Sequence, residues 1–124
     1  MKQAKTVLAA LLMTLIGMSI SVYAAPRQSI ESALVYLQKA RTATTVQVKI
    51  ENLKNANEQI AGSKYTKGGY CAAAMGLIAQ AMTCVNESSL DVANKLIDSA
   101  MVKVKHALQA IKQDEASKSK AGGR

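Results

Sequence analysis

The sequence predicts an all-α fold: a small antiparallel bundle of about four helices, or two packed hairpins, behind an N-terminal export signal. Large aliphatics recur every seven residues, with alanine three positions after most of them, as in Ile30 with Ala33, Leu53 with Ala56 and Ile97 with Ala100. That spacing keeps both residues on one helical face, and alanine at a seam position lets helices approach closer than the usual separation of about 8–10 Å. One evident loop, Gly62 to Gly69, divides the chain after the signal into halves of similar weight. Short connections then make sequential helices antiparallel neighbours.

The signal comes first. Lys2 and Lys5 give a positive start, and Val7 to Ile20 is apolar apart from Thr14, Gly17 and Ser19. Cleavage after Ala24 places Val22 and Ala24 at the two positions a signal peptidase inspects, whereas cleavage after Ala25 would put Tyr23 there. The competing reading is an uncleaved anchor, but this run of 14 residues is short of the roughly 20 a spanning helix needs. No cysteine ends the run and no Arg-Arg pair precedes it, which favours the ordinary secretion route and a periplasmic or secreted protein.

After Ala25-Pro26, Ser29 is placed to cap a first helix carrying Ile30, Ala33, Leu34, Leu37 and Ala40 and ending near Arg41. Thr44 or Thr45 caps a second, with Val46, Ile50, Leu53, Ala56 and Ile60, which stops at Gly62. The threonines between Thr42 and Thr45 favour a break there over a bend, because branched side chains lose rotamer freedom in a helix. A third helix runs from about Tyr70 to Val85, and Ser88 or Ser89 caps a fourth with Asp91 in its first turn, reaching about Gln113. The expected organisation is therefore a signal peptide over 1–24, a bundle over 25–113 and a disordered basic tail over 114–124. Residues 74–85 and 93–104 share six of twelve residues, all on the apolar side, as two helices facing one core would.

Loss of the signal leaves 100 residues with 14 Lys+Arg against 8 Asp+Glu, a net charge of +6. With no Phe or Trp and only Tyr36, Tyr65 and Tyr70 remaining, there is little on which to stack bases, which argues against nucleic acid as a partner. A basic exported protein meets anionic lipid, acidic polymers or an acidic protein more often, unless its charge is simply a solubilising surface. The basic handles are Lys64 and Lys67 in the loop and Lys95, Lys103, Lys105 and Lys112 on the last helix.

Two cysteines in an exported chain ordinarily predict a disulfide. Cys71 and Cys84 lie on one expected helix, however, about 19 Å apart by helical rise, against the roughly 7 Å a disulfide tolerates. The reading favoured is no intrachain bond, with Cys71 beside the loop available for an intermolecular one. Cys71 to Val85 is apolar nearly all round, and burial between neighbouring helices is the simplest account, with a membrane or a partner groove as the alternative. His106, the only histidine, falls off the main stripe of the last helix and reads as a surface residue. A metal site would have to combine it with soft ligands such as Met101, although methionines at helical spacing more commonly fill a core.

Size, export signal and a late histidine resemble the small exported haem bundles of the cytochrome b562 kind, whose axial ligands are a methionine and a late-helix histidine. This chain has no methionine in its first helix after the signal and no CxxCH, so the likeness is architectural. No Ser/His/Asp set, carboxylate pair or phosphate loop is present, and no cofactor is implied. The reading is a non-catalytic exported protein that binds a protein partner or itself. The alternatives are a periplasmic metal- or haem-binding bundle, or a protein of the anionic envelope surface.

Overall fold

A computed structural model describes residues 25–122; the signal segment, its cleavage site and the last two residues lie outside the described residues. The described residues form four helices packed against one another: α1 (Ala25–Thr42), α2 (Val46–Ser63), α3 (Tyr70–Asn86) and α4 (Leu90–Gly122). Each packs against its neighbours in sequence, and α4 closes the ring on α1. Arg27 pairs with Glu115 and Arg41 with Asp98, so α1 and α4 run in opposite directions.

The heptad reading locates the core. Ile30, Ala33, Leu37 and Ala40 on α1 are buried, as are Ala74, Ile78, Ala81 and Val85 on α3. On α4, Ala93, Ile97, Ala100, Val104, Ala107 and Ile111 alternate small and large without a break. The stripe of α2 departs from expectation, because Val46 is 46% exposed and Lys49 takes the seam position before Leu53, Ala56 and Ile60. Val46 is the first residue of its helix and lies open at the end of the bundle, whereas Lys49 sits one turn inward.

Helix ends show where local chemistry decides. α1 begins at Ala25, four residues before the expected cap at Ser29. Pro26 suits a first turn, since its φ is already helical and its missing N–H would have had no partner there. The threonine segment is a true break: Thr45 is extended, and its hydroxyl accepts from the Val48 N–H at 3.2 Å to cap α2. α2 passes through Gly62 to Ser63, and the left-handed residue that ends it is Lys64 at φ 56°. Ser63 fixes this turn by donating to the Ile60 carbonyl at 2.6 Å and accepting from the Tyr65 N–H at 3.2 Å.

A single 3-10 turn, Lys67–Gly69, leads into α3 with Gly68 and Gly69 at φ 76° and 71°. Only glycine adopts that backbone without strain. A Cβ at Gly68 would lie 2.7 Å from the Tyr70 ring, whereas one at Gly69 would meet nothing. Gly69→Ala is accordingly expected to cost about 1 kcal/mol from backbone strain alone, and Gly68→Ala about 2 kcal/mol once the ring is displaced. Urea titrations of the two variants check the order; equal losses would remove the steric part of the argument.

α4 continues as helix past the expected end at Gln113, to Gly122. Tertiary partners hold the extra turn. Asp114 accepts from Lys67 Nζ at 2.7 Å and from the Tyr65 hydroxyl at 3.4 Å, and Glu115 pairs with Arg27 at 3.1 Å. No proline or glycine interrupts the sequence between Gln113 and Gly122.

Candidate functional site

The cysteines occupy opposite ends of α3, and both are free. The absence of a bond between them agrees with the helical separation; Cys71, expected to be available beside the loop, is 6% exposed and belongs to the core. It lies in the inward stripe with Ala74 and Ile78, where burial pushes its thiol pKa up against the pull of a hydrogen bond with Ser63. Cys84, half-buried on the flank of α3, is the more accessible thiol. Cys71 and Met75, one turn apart, line a recess of about 200 Å³ with Tyr65 and Lys64. They bring two sulfurs to it, one already engaged by Ser63.

His106 is exposed, and its ring meets Tyr70 edge-on with centroids 5.5 Å apart. Met101 is half-buried against the core, about 140° around α4 from His106 by helical geometry, so the two do not converge on one site. Among the described residues, no group of three or more His, Cys, Asp or Glu side chains could hold a metal ion.

The expected basic handles are dispersed. Lys67 is committed to Asp114, whose hydrogen bond and charge raise the lysine's pKa. Lys64 is exposed at the end of α2; Lys95, Lys105 and Lys112 are exposed on α4, and Lys103 is half-buried. Asp98, seven residues before Lys105 and on the same side of the helix, pairs with Arg41 and interrupts the basic face.

Two features were missed by pattern reading. Lys49 is 4% exposed, and its Nζ donates to the Ala40 carbonyl at 2.6 Å, the Arg41 carbonyl at 3.4 Å and Asn94 Oδ1 at 3.0 Å. It closes the C-terminal end of α1, where carbonyls lack helical partners and the helix dipole favours a cation. Its position four residues before Leu53 was the available signal.

The second is the outer side of α3. Burial between neighbours, the expectation for this apolar helix, is confined to the inward stripe: only 28% of its most apolar stretch is buried. Ala72, Gly76, Ala79 and Thr83 form an exposed line with spacings of four, three and four residues. This is the spacing of the inward line Ala74, Ile78, Ala81 and Val85, displaced by two residues. The Thr83 hydroxyl is spent on the Ala79 carbonyl of its own helix at 3.2 Å, so its donor needs no outside partner. No charged residue occurs between Tyr70 and Asn86, whereas each other helix carries charge on its outer side. Such a surface offers shape and apolar contact without acid–base chemistry. No family model, curated protein or solved structure matches this chain.

Proposed function

We propose that the protein is exported and acts without catalysis, by docking a protein partner on the outer face of α3. The supporting observation is the contrast between that face and the rest of the molecule: 17 residues without a charge, exposed along one side, on an otherwise basic bundle. Interface centres are depleted of charged residues, and α3 fits that description where the other helices do not. The lysines of α4, mixed with carboxylates, suit a solvated face.

A photo-crosslinking residue placed at Ala79 and at Lys54, one at a time, tests the reading in the native host. The expected result is a discrete covalent protein adduct from position 79 and none from position 54, on the outer side of α2. Absence of any adduct at 79, or equal labelling from both, overturns it. Export is tested by fractionation and by N-terminal sequencing, which should find Ala25 first. Retention of Met1 in the membrane fraction would favour the uncleaved anchor.

A further inference from the structure

We infer that α3 is a hinged flap: its Asn86 end parts from α2 and opens the bundle along that seam, while its loop end stays in place.

The ties between helices are unevenly placed. Arg27 with Glu115 and Arg41 with Asp98 join α1 to α4, and Lys49 joins α2 to the end of α1 and to Asn94 of α4. Among the described residues, α3 has side-chain ties of this kind only at its loop end. There Cys71 meets Ser63 and the Tyr70 ring meets His106. From Ala72 to Asn86, apolar packing alone holds α3 to α2.

Asn57 supplies an independent observation. It lies on the side of α2 that faces α3, two turns after Ile50 and one turn before Ala61. Ile50 lines a recess shared with Asn86 of α3, and Ala61 one shared with Cys71 and Met75. Within that seam the Asn57 Oδ1 is buried and accepts no hydrogen bond. A buried acceptor without a donor destabilises the arrangement that encloses it, and the loss is recovered once water reaches the atom. The closed seam therefore carries a penalty that the opened one does not.

Packing is loosest toward the free end. A recess of about 430 Å³ lies there between the start of α2 and the end of α3, lined by Val46, Ile50, Lys54 and Asn86. Met75 and Met82, seven residues apart on the side of α3 that faces α2, are flexible enough to repack as the helices separate. Gly68 and Gly69, both at positive φ, adjoin the fixed end and form the pivot. At the other end, the Ser89 N–H donates to the Cys84 carbonyl at 2.8 Å and keeps the turn into α4 closed. The swing thus takes α3 away from α2 without parting it from α4.

Thiol trapping reads this motion. In a chain carrying Cys71→Ser and Cys84→Ser, Val85→Cys reports the free end of α3 and Val104→Cys the loop half of α4; both valines are 1% exposed. Labelling by an aromatic disulfide is compared with the rate that global unfolding allows, taken from urea titration of the same variant. Val85→Cys is expected to label about tenfold or more above that limit, and Val104→Cys at the limit. Adding Asn57→Leu removes the orphaned acceptor and should cut the excess at Val85→Cys about fivefold. Asn57→Met, whose side chain adapts to the seam, should act in the same direction.

Val85→Cys labelling no faster than global unfolding allows overturns the inference. An equal excess at Val104→Cys overturns the hinge, because the bundle would then loosen throughout. An excess at Val85→Cys that neither Asn57 substitution reduces overturns the α2 seam as the place of opening.

Discussion

Ile78→Ala is expected to destabilise the protein by about 4 kcal/mol, toward the upper end of the range for deleting a buried isoleucine side chain. Ile78 is fully buried at the middle of α3. The inward residues one turn away on either side are Ala74 and Ala81, whose methyl groups cannot extend into the space left behind. The strict alternation of large and small residues makes each large side chain the principal filling of its own layer. A bundle of this size is stable by about 5–15 kcal/mol, so one substitution removes a large share. The melting temperature should fall by roughly 15–30 °C. Ile78→Val, which removes one methylene, should cost only about 1 kcal/mol. Thermal and urea unfolding followed by circular dichroism check both values. A loss below about 2 kcal/mol for the alanine variant would mean that neighbouring helices collapse into the void, and that the seams are softer than close packing implies.

The bundle was legible because its dominant force is periodic. Burial of a helical stripe follows a rule written along the chain, and Ile97, Ala100, Val104 and Ala107 obey it without outside help. The Thr45 cap was legible for the same reason, since a hydroxyl before a helix start acts within one turn. The limits of α1 and α4 depend on more distant groups. Glu115 continues α4 because Arg27 lies opposite it, 88 residues earlier in sequence, and Asp114 continues it because Lys67 reaches over from the loop. Polarity alone assigned both carboxylates to solvent.

The candidate site was legible in composition but not in position. An apolar helix can be wholly covered only if neighbours surround it, and a ring of four helices leaves each one an outward side. Applied to Tyr70–Asn86, that constraint turns one side of a stretch expected to be buried into an exposed uncharged surface. It also reverses the cysteines: Cys71, next to the loop in sequence, points inward with the Ala74 line, while Cys84 lies on the flank. A one-dimensional reading ranks residues by distance from a loop, whereas the bundle ranks them by angle about the helix axis.

Lys49→Met tests the point where, among the described residues, charge enters the core, and is expected to cost about 2 kcal/mol at neutral pH. Methionine keeps the length and apolar stem but removes all three donors, leaving the buried Ala40 carbonyl without the bond at 2.6 Å and Asn94 without the bond at 3.0 Å. An orphaned buried acceptor costs about 1–3 kcal/mol, and loss of a cation at a helix C-terminus about 0.3–1 kcal/mol more. The apolar gain from methionine and relief from desolvating an ammonium offset part of this. The pH dependence separates these contributions. Burial, with the Arg41 charge nearby, lowers the Lys49 pKa in the folded protein. The unfolded chain therefore holds its proton to higher pH, and the stability contributed by Lys49 rises with pH from its folded pKa up to the ordinary lysine range. Tyr65 and Lys67, whose pKa values are raised, contribute the opposite slope, but they do so in both proteins and cancel in the difference. The stability gap between wild type and Lys49→Met should thus widen as the solution is made alkaline. A methionine variant as stable as wild type at neutral pH would show that the cost of burying the ammonium outweighs its bonds, and a gap that narrows with pH would show that those bonds hold the proton more tightly than burial expels it.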